Sequence, residues 1–149
     1  ASPNHPKSRG EITLNSSDPY DYPKILFNYL KEEEDLKQTR ECIHVARKIL
    51  SQPALSEHAG DEVGPGFNAQ SDDELNEYIR SKADTAYHPC GTCKMGVDDM
   101  AVVDQDLKVN GIGNLRVIDA SVIPEIPSAN LNAPTLMIAE KGSEAILNN

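Results

Sequence analysis

The sequence contains no tryptophan, only two phenylalanines (Phe27 and Phe67) and five tyrosines. A core built from it must therefore rest on aliphatic side chains. Cysteine is scarce: three is an odd number and too few for a disulfide scaffold, so a reducing, cytoplasmic setting is the simpler expectation. No apolar run approaches the roughly 20 residues that span a bilayer. The opening Ala1-Ser2-Pro3-Asn4-His5-Pro6 has no basic n-region or apolar h-region, so no signal peptide is expected. Cationic residues are outnumbered, with Lys+Arg 14 against Asp+Glu 24 and a net charge of −10. That balance argues against a protein that tracks nucleic-acid phosphates and against docking on an anionic membrane.

What is present suffices for a modest fold. A chain of 149 residues, 38% hydrophobic, fits one domain or one domain plus a piece of another. Residues 1–10 read as a tail or incoming connection. Ile12 and Leu14 alternate with polar neighbours, which predicts a half-buried strand over 11–15. Ser16-Ser17-Asp18-Pro19 is a turn, and residues 23–27 form a plausible second strand of a hairpin-like unit. Residues 32–50 read as an amphipathic helix with acids in its first turn and Arg47 and Lys48 near its end, both suited to the helix dipole. Ser71-Asp72-Asp73-Glu74 is a capping box that opens a second helix, with Leu75, Tyr78 and Ile79 on one face. Residues 84–96 are loop-like. Leu115-Arg116-Val117-Ile118-Asp119 reads as a buried strand, and a last helix runs from about Ala133 to Leu147 with Pro134 in its first turn.

The densest chemistry lies in His88-Pro89-Cys90-Gly91-Thr92-Cys93. Cys90 and Cys93 have zinc-ligand spacing, but a closed site needs four ligands and no second pair exists. A deaminase would need a His-x-Glu element, which none of the histidines provides. A thiol redox pair should open a helix, and no helical pattern follows. A fourth reading, that His88 handles a substrate proton with the cysteines as packing neighbours, stands beside the plainer one of a structural histidine, and the residues alone leave both open.

The run Ala86-Tyr87-His88-Pro89-Cys90-Gly91-Thr92-Cys93-Lys94-Met95-Gly96 resembles the catalytic-histidine segment of the glucose-methanol-choline (GMC) oxidoreductases. Ala101-Val102-Val103-Asp104, Val109-Asn110-Gly111-Ile112, Asn114-Leu115-Arg116-Val117-Ile118-Asp119-Ala120-Ser121 and the stretch from Asn130 to Lys141 follow in the order of that family's C-terminal end. The resemblance implies an α+β fold: an antiparallel sheet with helices on one face, plus a strand and helix that complete an FAD-binding domain. It divides the chain into a substrate-domain portion, 1–90, and a catalytic-histidine loop with a return to the FAD domain, 91–149. It implies FAD as cofactor and a small-molecule alcohol as substrate, with choline favoured. His88 and Asn130 match the catalytic positions, and Asp119, Ala120, Asn132 and Thr135 match positions beside the cofactor. Asn132 also reads as a plain N-cap. No metal ligand is assigned.

The Gly-x-Gly-x-x-Gly fingerprint that holds the cofactor's phosphates is absent, because Gly111-Ile112-Gly113 lacks the third glycine and precedes a strand. The chain is therefore expected to be the C-terminal portion of a longer enzyme, whose N-terminal part is its natural partner. Alone it should expose apolar faces that promote self-association. Membrane association of the longer enzyme stays open. So do another alcohol dehydrogenase of the family and a non-catalytic interaction or zinc-binding domain built on the Cys-x-x-Cys loop.

Overall fold

A computed structural model describes residues 2–148, so the ends of the two expected segments, Ala1 and Asn149, lie outside the described residues. The chain divides into two compact units between Asp84 and Thr85. Among the described residues no helix is long and apolar enough to cross a membrane.

The first unit opens with an antiparallel pair, β1 (Glu11–Thr13) and β2 (Lys24–Leu26), with Ile12 opposite Ile25. The hairpin forms as the alternation predicts, but it is not half-buried. Ile12, Ile25 and Leu26 are each at least half exposed, and among the described residues no helix packs closely on the pair. Two strands of three residues are too short to bury an apolar face without a third layer. The expectation of helices packed on one face of this sheet is thus not met within the described residues.

The helices of this unit pack on each other instead. α1 (Glu33–Leu50) begins with three acids and ends with Arg47 and Lys48. α2 (Asp72–Lys82) starts at the expected capping box: the Ser71 hydroxyl accepts the Glu74 N–H, and the Glu74 carboxylate accepts the Ser71 N–H. The Ser71 N–H, the Ser71 hydroxyl and the Gln70 N–H all donate to that carboxylate and hold it below the usual glutamate range. Leu36 of α1 and Leu75 and Ile79 of α2 are the buried contacts. Arg47 grips Glu62 through two nitrogens and adds bonds to the Gly66 and Ala69 carbonyls, which ties the loop between the helices to α1.

Residues 7–8 are not a loose tail. The buried Asp35 carboxylate accepts the Lys7 and Ser8 N–H groups at 2.6 and 2.7 Å, and Ser8 Oγ accepts the Glu32 N–H. Gly10 is required there, since a Cβ would collide with the Leu26 and Phe27 carbonyls.

The second unit is mostly irregular chain around one cluster: Val103, Leu107, Val122, Ile123, Leu131 and Ile138. Isolated bridges join Met95 to Val103, Val103 to Val109 and Lys108 to Arg116. A 3-10 turn, Ala120–Val122, packs against α3 (Asn132–Leu147). The expected strand over 115–119 does not form. Leu115 is exposed, and the run meets residues 106–109 through the Lys108–Arg116 bridge and the bonds Val109 N–H to Leu115 O, Val117 N–H to Leu107 O and Arg116 Nε–H to Asp106 O. Its apolar residues serve packing: Ile118 lies so close to buried Gly142 of α3 that no Cβ fits between them.

Candidate active site

The site is built from two anchored loops. Pro89 bars His88 from the helical region and keeps it extended. Beyond it, Cys90 packs against the core cluster. Gly91 turns with φ +89, where a side chain would be strained. The Cys93 N–H then bonds Ser121 O at 3.0 Å, and the Met95 N–H bonds Val122 O at 2.8 Å. The His88 loop is thereby stitched to the turn whose Val122 is fully buried. The Lys94 ammonium, 2.9 Å from Asp98, and the Met100 N–H hold the Asp98 carboxyl below the usual range.

From the other side, Leu131 is buried in the same cluster and starts α3. Thr135 donates both its N–H and its hydroxyl to Leu131 O, at 2.9 and 2.7 Å. That fixes the residue before it, Asn130. Asn130 Nδ2 and His88 Nε2 lie 3.0 Å apart, although 42 positions separate them in sequence. An amide NH2 can only donate, so in this arrangement Nε2 accepts and the proton of a neutral ring sits on Nδ1. The lone pair that a base needs is therefore on the nitrogen facing Asn130. His88 is half-buried and Asn130 exposed, so the pair opens to solvent.

The other expected residues lie on the 3-10 turn and in the first turn of α3, with one correction. Asp119 caps the 3-10 turn, its Oδ1 accepting the Ser121 N–H at 2.8 Å and the Ser121 hydroxyl. Ala120 follows it and packs on the core. Asn132 is not the N-cap of α3: Leu131 holds that position, and Asn132 is the first helical residue. A buried leucine at the cap has no oxygen to offer, and no acid occupies the first turn. Its leading N–H groups, which no helix satisfies internally, are thus left to an outside acceptor. α1 and α2 differ, with acids in their own first turns.

Sequence reasoning did not foresee Tyr87. It has φ +59, a conformation costing a bulky L-residue roughly 1–2 kcal/mol. Its N–H bonds Thr85 Oγ1 at 3.0 Å. A proline directly after a candidate base, with a threonine three residues before it, is the only sequence signal of that geometry. The three cysteines are half-buried and form no disulfide, and among the described residues no three His, Cys, Asp or Glu side chains cluster as metal ligands would.

Residues 6–139 match the GMC oxidoreductase C-terminal family, and the chain belongs to that family, whose members are FAD-dependent. It is 52% identical over 139 residues to the oxygen-dependent choline dehydrogenase of Klebsiella pneumoniae, covering 93% of this chain and 25% of that protein. The fold superposes on pyridoxine 4-oxidase from Mesorbium loti with a TM-score of 0.88 at 31% identity, covering 98% of this chain and 28% of that one. An FAD-dependent oxidoreductase from Chaetomium thermophilum gives a TM-score of 0.90 at 28% identity, with 97% and 25% covered. The chain spans about a quarter of the length of the relatives it matches.

Proposed function

We propose that this chain is the part of an FAD-dependent alcohol dehydrogenase that supplies the base and the oxygen-positioning amide, and that the alcohol is choline. Polypeptide outside these 149 residues supplies most of the cofactor site. Residues 1–90 belong to the substrate side, and residues 91–149 carry the catalytic loop back to the FAD domain. The observation that carries this reading is the Asn130–His88 pair at 3.0 Å. The choline assignment rests on the 52% identity to the choline dehydrogenase.

The chemistry of the pair follows from its donors and acceptors. A substrate hydroxyl entering between the two side chains replaces their direct bond with two. Its oxygen accepts from the Asn130 amide, and its proton points at the His88 Nε2 lone pair. Asn130 has no basic site, so His88 alone takes the proton. The α3 N-terminus fits an electron-rich carbonyl edge of a flavin, because no side chain caps it and no acid stands in its first turn. Asn132 and Thr135 stand on that turn, and Asp119 and Ala120 on the 3-10 turn packed against the helix. These four would hold the FAD. Bound FAD supplies the hydride acceptor, its N5.

The test is His88→Ala in the full-length enzyme. Turnover should fall by ~10²–10⁴, the usual contribution of a positioned general base. Turnover close to the parent's would remove His88 from that role.

A further inference from the structure

Resting on the reading of His88 as the base, we propose that Thr85 is a positioning residue that aims it. His88 is flanked by constraints of two kinds. On its C-terminal side Pro89 fixes its own φ, and Cys90 is packed into the core cluster. On its N-terminal side the Thr85 hydroxyl accepts the Tyr87 N–H at 3.0 Å and so holds the peptide plane from which Tyr87 φ is measured. Tyr87, at φ +59, is the joint between the two. The direction in which the His88 ring leaves the backbone toward Asn130 is set at this joint. Tyrosine has no preference for the left-handed region, and Tyr87 is 76% exposed in this chain, so packing within the chain does not hold it there. Among the described residues, the bond to Thr85 is what holds the Tyr87 N–H.

Without that bond Tyr87 relaxes to negative φ, and the imidazole turns away from Asn130. The base remains present but is aimed correctly in only a fraction of molecules. That lowers kcat and leaves KM for the alcohol nearly unchanged, because binding contacts elsewhere are intact.

The experiment compares Thr85→Val, Thr85→Ser, Tyr87→Asn and the Thr85→Val/Tyr87→Asn pair in the full-length flavoenzyme, with His88→Ala as reference. Valine keeps the shape and removes the acceptor. T85V should lower kcat about tenfold, a ~1.4 kcal/mol loss of the aimed state, with KM within about twofold. T85S, which keeps the hydroxyl, should stay within about twofold of the parent. Asparagine adopts positive φ readily, so in the Y87N background T85V should cost less than about threefold. A crystal structure of T85V should place Tyr87 at negative φ, with the Asn130–His88 separation beyond about 3.5 Å. Unchanged kcat in T85V, an equal loss in both backgrounds, or Tyr87 still at positive φ overturns the proposal. A large loss in H88A beside a silent T85V removes Thr85 alone, whereas an active H88A removes the base reading on which it rests.

Discussion

The side-chain amide of Asn130 explains why the pair is ready before substrate arrives. A buried or half-buried base without a partner would turn toward any nearby donor, and its lone pair would be aimed at random. Here the amide satisfies Nε2 and can pass its donor to an incoming oxygen at no loss of hydrogen bonds. Asn130→Ala should therefore lower kcat by ~10², as removal of one positioned donor does, in steady-state assays of the full-length enzyme. An unaltered kcat would show that the amide is not directed at the reacting oxygen. Positions 88 and 130 were singled out by the family resemblance and not by their residue types, and the structure brings the two side chains to 3.0 Å across 42 positions. The strained Tyr87 was not legible, since positive φ in a tyrosine leaves no compositional mark. Nor was buried Asp35, whose partners are backbone groups of residues 7 and 8 and thus invisible to a pattern of side chains.

At the scale of elements, local signals succeeded where the element satisfies itself. The capping box of α2 and the charge gradient of α1 act within one helix, and both helices start within a residue of the expected place. Signals failed where a partner decides. The apolar run 115–119 reports burial, and burial it has in part, yet a bridge and backbone bonds to residues 107–109 and one contact of Ile118 with a helix glycine take the place of a sheet. Leu131 takes the cap of α3 because the core needs it, overriding the better capping residue beside it. The Ile118–Gly142 contact yields a test with a sign change. Glycine within a helix costs about 1 kcal/mol relative to alanine, while overpacking a tight contact costs about 1–3 kcal/mol. Gly142→Ala should lower the thermal midpoint, and the same substitution made on Ile118→Ala should raise it. A stabilising Gly142→Ala in the parent would mean the helix and the run do not meet so closely.

For the molecule as a whole, acid and surface set its behaviour. Burial pushes the Asp35 carboxyl up, but the bonds from the Lys7 N–H, the Ser8 side chain and the Ser8 N–H, with Arg9 nearby, outweigh it and hold the carboxyl below its ordinary value. The unfolded chain then binds more protons between the two values, so stability rises with pH across that window. The contribution is whole above the ordinary aspartate value and lost as pH falls through the lower folded one. Asp35→Asn should flatten the acid limb of a stability–pH profile, and an unchanged limb would contradict the assignment. The surface also carries apolar residues that no element covers, among them Ile12, Ile25, Phe27 and Tyr29 in and beside the hairpin and Val45 and Ile49 on α1. Expressed alone, the chain should associate with rising concentration in sedimentation experiments, and a strictly monomeric profile would argue that these faces need no cover.

The central claim, that His88 and Asn130 grip one alcohol oxygen beside a flavin, is tested most directly by a crystal structure of the full-length holoenzyme with a non-reactive choline analogue bearing a hydroxyl. The analogue's oxygen should lie within about 3 Å of both His88 Nε2 and Asn130 Nδ2. An analogue oxygen bound away from both nitrogens would contradict the account.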